Sequence, residues 1–426
     1  MRRAVAFGLA VLTLLAVSSL TAGEASAAIS AASCPSPGGA RIAEASAPAG
    51  QIKVYGHGWG HGMGMSQYGA QGAARLGCSY RTILHTYYRG TSIRTRSLTA
   101  PVQLTLARHA QSSTLKAETG SVRWTGFGQT AVTQPTGSTW TVQLMADRGT
   151  AGAALVDGNG KLRLFVHKGV PITAWHSGKV VVVKPSSASR SLRTRYDRAR
   201  FVRTANRLGV TEVIGSGKRT AVQKYLAGLA EVPISWPAEA LKAQAVAART
   251  YLTSKYNSSL KAYTLSTTTA DQVYTGYRHE AADARLGLRW QRAVDATNGK
   301  IILDSTGHPI EAMYSSSMGG YTENRQFVYG RYGISYLKAV DDSRWDAASD
   351  NPYRSWSKGF SKTSFAKRFG FDSISSYGVG KRGSLSRVQY GVRISGTIKG
   401  RTITKEFTGS SAKYRLGLRS TGFILR

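Results

Sequence analysis

The apolar positions of this chain change period several times along its length, and each change predicts a different element. Between Ala238 and Tyr251, Ala, Leu and Val occupy nearly every side of a helical wheel made of strong helix formers. Pro237 stands at its start, where a first turn loses nothing by lacking an N–H. The pattern predicts a helix buried on most sides. Its polar exceptions, Glu239, Lys242 and Arg249, fall along one stripe and predict a single charged edge. From Tyr68 to Thr91 the pattern is again helical, carried by Ala70, Ala73, Ala74 and Leu76, then Ile83, Leu84, Tyr87 and Tyr88. Over residues 100–185 the period drops to two. Val102–Leu106, Trp140–Leu144, Leu162–Val166 and Val180–Val183 read as strands separated by Gly, Ser and Asp-Gly turns. Residues 208–219 read as a further strand. Residues 285–298 read as an amphipathic helix, with Leu286, Leu288, Ala293, Val294 and Ala296 on its apolar face, ended by Asn298-Gly299. A hairpin is expected over 300–310. The fold class is therefore α+β, a β-rich scaffold with a long buried Ala-rich helix beside a cleft.

Composition changes this picture in three places. The chain starts Met1-Arg2-Arg3, runs apolar from Ala4 to Val17 and reaches Ala25-Ser26-Ala27, the layout of a secretory signal peptide over residues 1–27. That run is too short for a membrane helix and no later segment qualifies, so a secreted or wall-located mature chain without a transmembrane helix is expected. Residues 28–50, rich in Ala, Ser, Pro and Gly, read as a linker. In an exported chain the two cysteines, Cys34 and Cys78, suggest one disulfide. The formal net charge of +35 suits an anionic surface such as a cell wall carrying phosphate or carboxylate polymers. Nucleic acid is disfavoured by the export signal and by the lack of a compact Lys/Arg block with interleaved aromatics.

Three stretches carry candidate chemistry. Glu231 lies on the turn before the Ala-rich helix, among Leu229, Ala230, Val232 and Pro233. Apolar surroundings disfavour the charged carboxylate and raise its pKa, which a general acid near neutral pH requires. Gly56 to Ala70 alternates glycine with His57, Trp59, His61 and Met63, a pattern for a tight loop lining a cleft. His57 and His61 stand four apart, but a metal-holding pair at that spacing needs a helix, which these glycines forbid. No metal or cofactor is expected. Met313 to Asn324 places Tyr314, Ser315, Ser316 and Ser317 on a Gly-supported loop, where hydroxyls can meet sugar hydroxyls. A serine hydrolase is disfavoured, because no Gly-x-Ser-x-Gly elbow is present.

The Glu231 turn and the helix Glu239-Ala-Leu-Lys-Ala-Gln-Ala-Val-Ala-Ala-Arg-Thr-Tyr251 resemble the signature of the SpoIID/LytB family, stage II sporulation protein D and the amidase enhancer LytB. Val232 replaces the family's Met. Gly58 to Ala70, the ending Tyr87-Tyr88-Arg89-Gly90-Thr91, Gln272-Val273-Tyr274-Thr275-Gly276 and the loop Ser316-Ser317-Met318-Gly319-Gly320-Tyr321-Thr322 are similar to further family segments. In the family arrangement the Gly-His segment follows a Leu-x-Ser-Thr-x-Phe strand. Here that strand, Leu418 to Phe423, ends the chain and the Gly-His segment lies near its start. A circular permutation accounts for this order and predicts that Val54-Tyr55 and Phe423 are neighbours.

The resemblance implies a peptidoglycan-remodelling protein, with Glu231 as the catalytic acid/base of a lytic transglycosylase acting on glycan strands. One carboxyl suffices there because the muramic acid's own 6-hydroxyl closes the ring; Glu239, Glu311 and Glu323 are weaker second candidates. Arg249 is expected to orient Glu231 or contact the glycan, and Lys242 and Gln244 to shape the floor. Gln272, Tyr274, Tyr314, Ser316, Ser317, His61, Ser66 and Gln67 complete the expected substrate-binding set. The other reading is a non-catalytic wall-binding enhancer of a partner N-acetylmuramoyl-L-alanine amidase, since one fold can host both roles. The expected division is a signal peptide at 1–27, a linker at 28–50, the Gly/His segment at 51–95, a β-rich accessory region at 96–205 and the core at 206–426.

Overall fold

The Ala-rich pattern folds as helix Ala238–Ser254, and the rest of the molecule packs around it. The computed structural model describes residues 34–38, 51–330, 332–380, 383–384 and 391–426, all within one unit, Cys34–Arg426. The expected signal peptide and most of the expected linker lie outside the described residues. The architecture is strand-rich α+β. Among the described residues the first six helices are α1 (Gln67–Arg75), α2 (Tyr80–Tyr87), α3 (Ala221–Ala227), α4 (Ala238–Ser254), α5 (Tyr277–Arg285) and α6 (Arg289–Ala296).

Two sides of α4 are buried in different cores. Leu241, Ala245, Ala248 and Leu252 join Tyr225, Leu226, Val102, Leu104 and Trp290. Ala243, Val246 and Ala247 face Ile83, Leu84, Tyr87 and Ile302. Small side chains on both faces let these neighbours approach, which is why Ala recurs at so many positions. The expected charged edge is therefore not a solvent edge. Glu239 and Lys242 are half-buried and Arg249 is buried.

The β patterning of residues 100–185 forms two sheets. One has eight strands and runs from Tyr256–Asn257 and Ala262–Ser266 through Val102–Ala110, Arg207–Ile214, Arg198–Thr204, Pro171–Trp175 and Val122–Gly126 to Val132–Gln134. The other has six strands, and the two share a core that includes Trp124, Trp140, Phe201 and Val210. The eight-stranded sheet crosses the expected boundary at residue 205. Val102–Ala110 pairs with Arg207–Ile214 on one side and in parallel with Ala262–Ser266 on the other.

Ile52–Gly56 pairs antiparallel with Phe423–Leu425, setting Gly56 opposite Phe423 and Val54 opposite Leu425. This is the neighbourhood that the permuted order requires. One expectation fails locally. Residues 285–298 are not one helix: Gly287 and Leu288, both at positive φ, separate α5 from α6. Leu286 and Leu288 are exposed there, and the buried face is Trp290, Ala293 and Val294. The Asp283 carboxylate accepts from Trp290 N–H and Gln291 N–H, each at 2.9 Å, and so caps the new helix. The expected hairpin over 300–310 forms: Leu303 bridges Pro309, Asp304 N–H donates to the His308 carbonyl at 2.9 Å and Ile310 N–H to the Ile302 carbonyl at 3.1 Å, while Lys300–Leu303 also pairs with Ser92–Thr95.

Cys34 and Cys78 are joined by a disulfide across a sequence separation of 44. It fixes the 34–38 segment against the Trp345 indole, which donates to the Pro35 carbonyl at 3.0 Å. Replacing both cysteines by serine is expected to lower unfolding stability by about 4 kcal/mol, from the chain entropy that such a loop loses. Urea midpoints of the oxidised wild type and the double variant measure it; coincident midpoints would assign the bond no stabilising role.

Candidate active site

The turn before α4 is held to a distant strand-like segment. Leu229 bridges Tyr274, and Ala230 N–H donates to the Val273 carbonyl at 2.9 Å. Val273 N–H in return donates to Glu231 Oε1 at 2.6 Å. Backbone pairing thus aims one peptide donor at the carboxyl and fixes its position. Behind Glu231, Arg289 clamps the turn through the carbonyls of Ile234 (3.2 Å) and Trp236 (3.0 Å).

Around this carboxyl the fold gathers four of the expected residues. Gln67 Nε2 donates to the Glu231 carbonyl (3.4 Å) and to Gln244 Oε1 (3.2 Å). Gln272 Nε2 donates to the Tyr314 hydroxyl (2.8 Å) and the Ala248 carbonyl (3.2 Å), while Tyr225 donates to Gln272 Oε1 (2.6 Å). Burial pushes the Glu231 pKa up to about 7; hydrogen bonds from Val273 N–H, Tyr314 and Gln67 pull the other way and limit the rise. The carboxyl is therefore poised to hold a proton near neutrality and to give it up.

An open cavity of about 670 Å³ is lined by chain neighbours of this cluster, though not by Glu231 itself. Its lining includes Asp271 and Met313, the immediate neighbours of Gln272 and Tyr314, with Tyr251, Lys255, Glu311 and Arg325. Asp271 accepts from the Tyr251 hydroxyl (3.0 Å) and Ser266 N–H (2.8 Å), which anchors the loop that delivers Val273 N–H. Glu311 is ion-paired with Lys255 at 2.8 Å. Glu323 is buried and accepts from Ser384 and Asn324 N–H. Glu239 accepts from Tyr80 N–H (2.7 Å), its negative charge stabilised at the N-terminus of α2.

The remaining expected binding residues have other tasks. Arg249 does not reach Glu231; its guanidinium donates to the carbonyls of Val294 and Lys300, each at 3.1 Å, at and just after the end of α6. Lys242 is paired with Glu239 at 2.6 Å, beside α2. Tyr274 packs in the core, its ring 5.3 Å from that of Tyr225. Ser66 caps α1 through Gly69 N–H. Ser316 uses its carbonyl to accept from Tyr68 N–H at 3.0 Å. Ser317 is buried and accepts from Asn351 Nδ2 at 2.6 Å. His61 lies behind Tyr314: its Nδ1 accepts from Met63 N–H (3.1 Å), and burial, with Lys413 adding, lowers its pKa to about 4. His57 turns elsewhere, toward the Arg354 carbonyl at 3.2 Å. Among the described residues, no cluster of three or more His, Cys, Asp or Glu side chains is placed to hold a metal, and no helix is long and apolar enough to cross a membrane.

Tyr225, Asp271 and Arg289 support this site and were not anticipated. Asp271 immediately precedes the Gln272 motif, which was signal enough to name it; Tyr225 and Arg289 carry no local pattern.

The fold is strand-rich α+β, and it holds Glu231 as a half-buried carboxyl with a raised pKa. Residues 212–303 match the family model described as SpoIID, Stage II sporulation protein. This segment is what the chain shares with the SpoIID/LytB family. It is 43% identical over 114 residues to an amidase enhancer of Bacillus subtilis (strain 168), covering 27% of this chain and 14% of that protein. It is 33% identical over 215 residues to stage II sporulation protein D of the same organism, covering 47% of this chain and 59% of that protein. The corresponding protein of Bacillus amyloliquefaciens is 31% identical over 217 residues, with the same coverage. The chain therefore spans only part of the length of these relatives. No solved structure matches it.

Proposed function

We propose that this protein remodels the cell wall as a lytic transglycosylase, with Glu231 as its acid/base. The observation that carries the reading is one carboxyl raised to about 7 by burial and aimed by Val273 N–H at 2.6 Å. In the first step Glu231 gives its proton to the glycosidic oxygen as the bond to C1 breaks. In the second, the 6-hydroxyl of the same muramic acid attacks C1 and its proton passes to the Glu231 carboxylate. The acid is regenerated, one product carries a 1,6-anhydromuramic end, and no water is consumed. A single carboxyl is sufficient, whereas hydrolysis would call on a second group to activate water. Export, attachment to anionic wall polymers through the net charge of +35, and a glycan-binding cleft belong to the same proposal.

The second reading is a wall-bound enhancer of an amidase. The 43% identity to the amidase enhancer favours it. A digest of purified glycan strands, with and without stem peptides, separates the two by mass spectrometry. The wild type is expected to yield anhydromuramic ends and Glu231→Gln none. Strands left intact by both proteins, with sedimentation onto wall material preserved, would leave the enhancer reading in its place.

A further inference from the structure

A second group of side chains converges outside the Glu231 pocket. Trp59 is 45% exposed, an unusual position for the largest apolar side chain, yet its backbone is fixed at both polar groups. Trp59 N–H donates to the Ser317 carbonyl at 2.7 Å, and Ser317 N–H donates to the Trp59 carbonyl at 3.1 Å. Gly58 makes this approach possible: its φ is 74°, and a Cβ there would collide with the Ser317 carbonyl oxygen. The Tyr353 ring stands 4.8 Å from the Trp59 ring, and its loop is equally fixed. Gly58 N–H donates to the Tyr353 carbonyl at 2.7 Å, and Tyr353 N–H donates to Asn351 Oδ1 at 2.9 Å. Arg419 lies over both rings, its guanidinium carbon 5.7 Å and 5.6 Å from their centres. Its carbonyl accepts from Gly60 N–H at 3.0 Å, so this third member is also set by the Gly-rich loop.

The frame beneath the group is the buried Ser317, Asn351 and Asp346 network. Ser317 Oγ accepts from Asn351 Nδ2 at 2.6 Å, and Asn351 Nδ2 also donates to Asp346 Oδ1 at 2.8 Å. Arg354 closes it with an ion pair to Asp346 at 2.9 Å. This network holds an exposed Trp, a Tyr and an Arg in one arrangement, although none of the three side chains is needed to fill a core.

A chain of contacts through α1 links the group to the Glu231 turn. Gln67, bonded to the Glu231 carbonyl, opens α1, and the next residue, Tyr68, packs its ring 5.1 Å from Trp236 on the turn after Glu231. Gln71, one turn further along α1, accepts from Asp350 N–H at 2.9 Å and so fixes the loop that carries Tyr353. Burial raises the Tyr68 pKa, and Tyr353 and Asp350 add to it, as neighbours across this junction do.

We propose that Trp59, Tyr353 and Arg419 form a further saccharide subsite, for a pyranose ring that carries a carboxylate substituent. The proposal rests on the glycan reading of Glu231 and extends it away from the cleavage point. The apolar C–H face of a pyranose stacks on the electron-rich face of an aromatic ring. A guanidinium held at the same platform pairs with a carboxylate, as a lactyl group or a stem-peptide terminus would provide. A chitin-type chain offers the same ring face without that charge.

The test uses Glu231→Gln as the parent, so that strands are bound without being cut. Calorimetric titration compares peptide-free glycan strands with N-acetylchitooligosaccharides of equal length. Adding Trp59→Ala is expected to weaken both ligands roughly 10-fold. Trp59→Phe restores most of the affinity, which separates loss of the ring from loss of folding. Arg419→Gln is expected to weaken the glycan strands by about 10-fold and the chitooligosaccharides by less than about twofold. Unchanged strand affinity in both Trp59→Ala and Arg419→Gln overturns the subsite, as does a parent that binds neither ligand. The Glu231 reading is judged separately, by anhydromuramic ends from the wild type. Without them, a strand affinity that still depends on Trp59 leaves the subsite standing and removes the chemistry.

Discussion

Glu231→Gln is expected to lose at least about 100-fold in the rate of strand cleavage, the contribution of a positioned general acid, while melting at a higher temperature than the wild type above pH 7. The two effects share one cause. Burial raises the carboxyl from 4.5 to about 7 in the folded chain. Below pH 4.5 both folded and unfolded chains hold the proton and the group is neutral to stability. Between 4.5 and about 7 the folded chain binds more protons than the unfolded one, so stability falls as pH rises. Above that window the ionised, buried carboxylate costs about 3 kcal/mol, at roughly 1.4 kcal/mol for each tenfold change in proton affinity. Glutamine carries no charge to bury, and its Oε1 can still accept from Val273 N–H. The variant should therefore gain stability at pH 8 and nothing at pH 4. The activity of the wild type runs the same titration: the first step needs the protonated acid, so kcat/KM should fall as pH rises through about 7. Initial rates of anhydromuramic product from pH 5 to 9, with melting curves at pH 4 and 8, check both. A rate that rises through that range, or a Gln variant that cleaves normally, would remove Glu231 from the acid's role.

Glu231 is singled out by the family resemblance of its turn more than by its apolar chain neighbours, of which Pro233 is exposed. The buried character of α4 was legible from its own residues, since a helix with Ala on most sides leaves no polar face to turn outward. What the pattern lacked was the identity of the neighbours. The donor that aims Glu231, Val273 N–H, arrives by a pairing across 42 residues, and no periodicity reports it. Gln67 and Gln272 could be placed at the cleft from family segments, but which partner each amide meets depends on packing. The break at Gly287 shows the opposite error. Leu286 and Leu288 continue a helical spacing on paper, and the positive φ at Gly287 and Leu288 turns them to solvent. Trp59 stands in a loop that alternates glycine with larger residues, a pattern that does not say which side chain reaches solvent. Its exposure becomes informative only once Ser317 and Tyr353 are seen to fix it.

Arg249 is the residue for which helical geometry was right and the inference drawn from it was not. It does lie on a stripe with Glu239 and Lys242, but on a helix packed against protein on both sides a stripe faces protein. Arg249 is 1% exposed, and its guanidinium bridges the Val294 and Lys300 carbonyls, with Thr297 Oγ1 at 3.4 Å. The Val294 carbonyl lies in the last turn of α6, where unpaired carbonyls and the helix dipole favour a cation, and the Lys300 carbonyl opens the strand that follows. Burial lowers the guanidinium pKa to about 10, which leaves it charged at neutral pH. Arg249→Ala strips donors from buried carbonyls and opens a void between α4 and α6, and is expected to cost about 3–5 kcal/mol. Arg249→Lys keeps the charge but its single head cannot span the same acceptors, so an intermediate loss is expected. Denaturant midpoints give the stability; rates per folded molecule give the function. Because Arg249 is absent from the bonds and charges that set the Glu231 pKa, the surviving folded fraction should keep the wild-type pH midpoint near 7. A midpoint displaced in Arg249→Lys, with stability little changed, would return Arg249 to the role of orienting the acid.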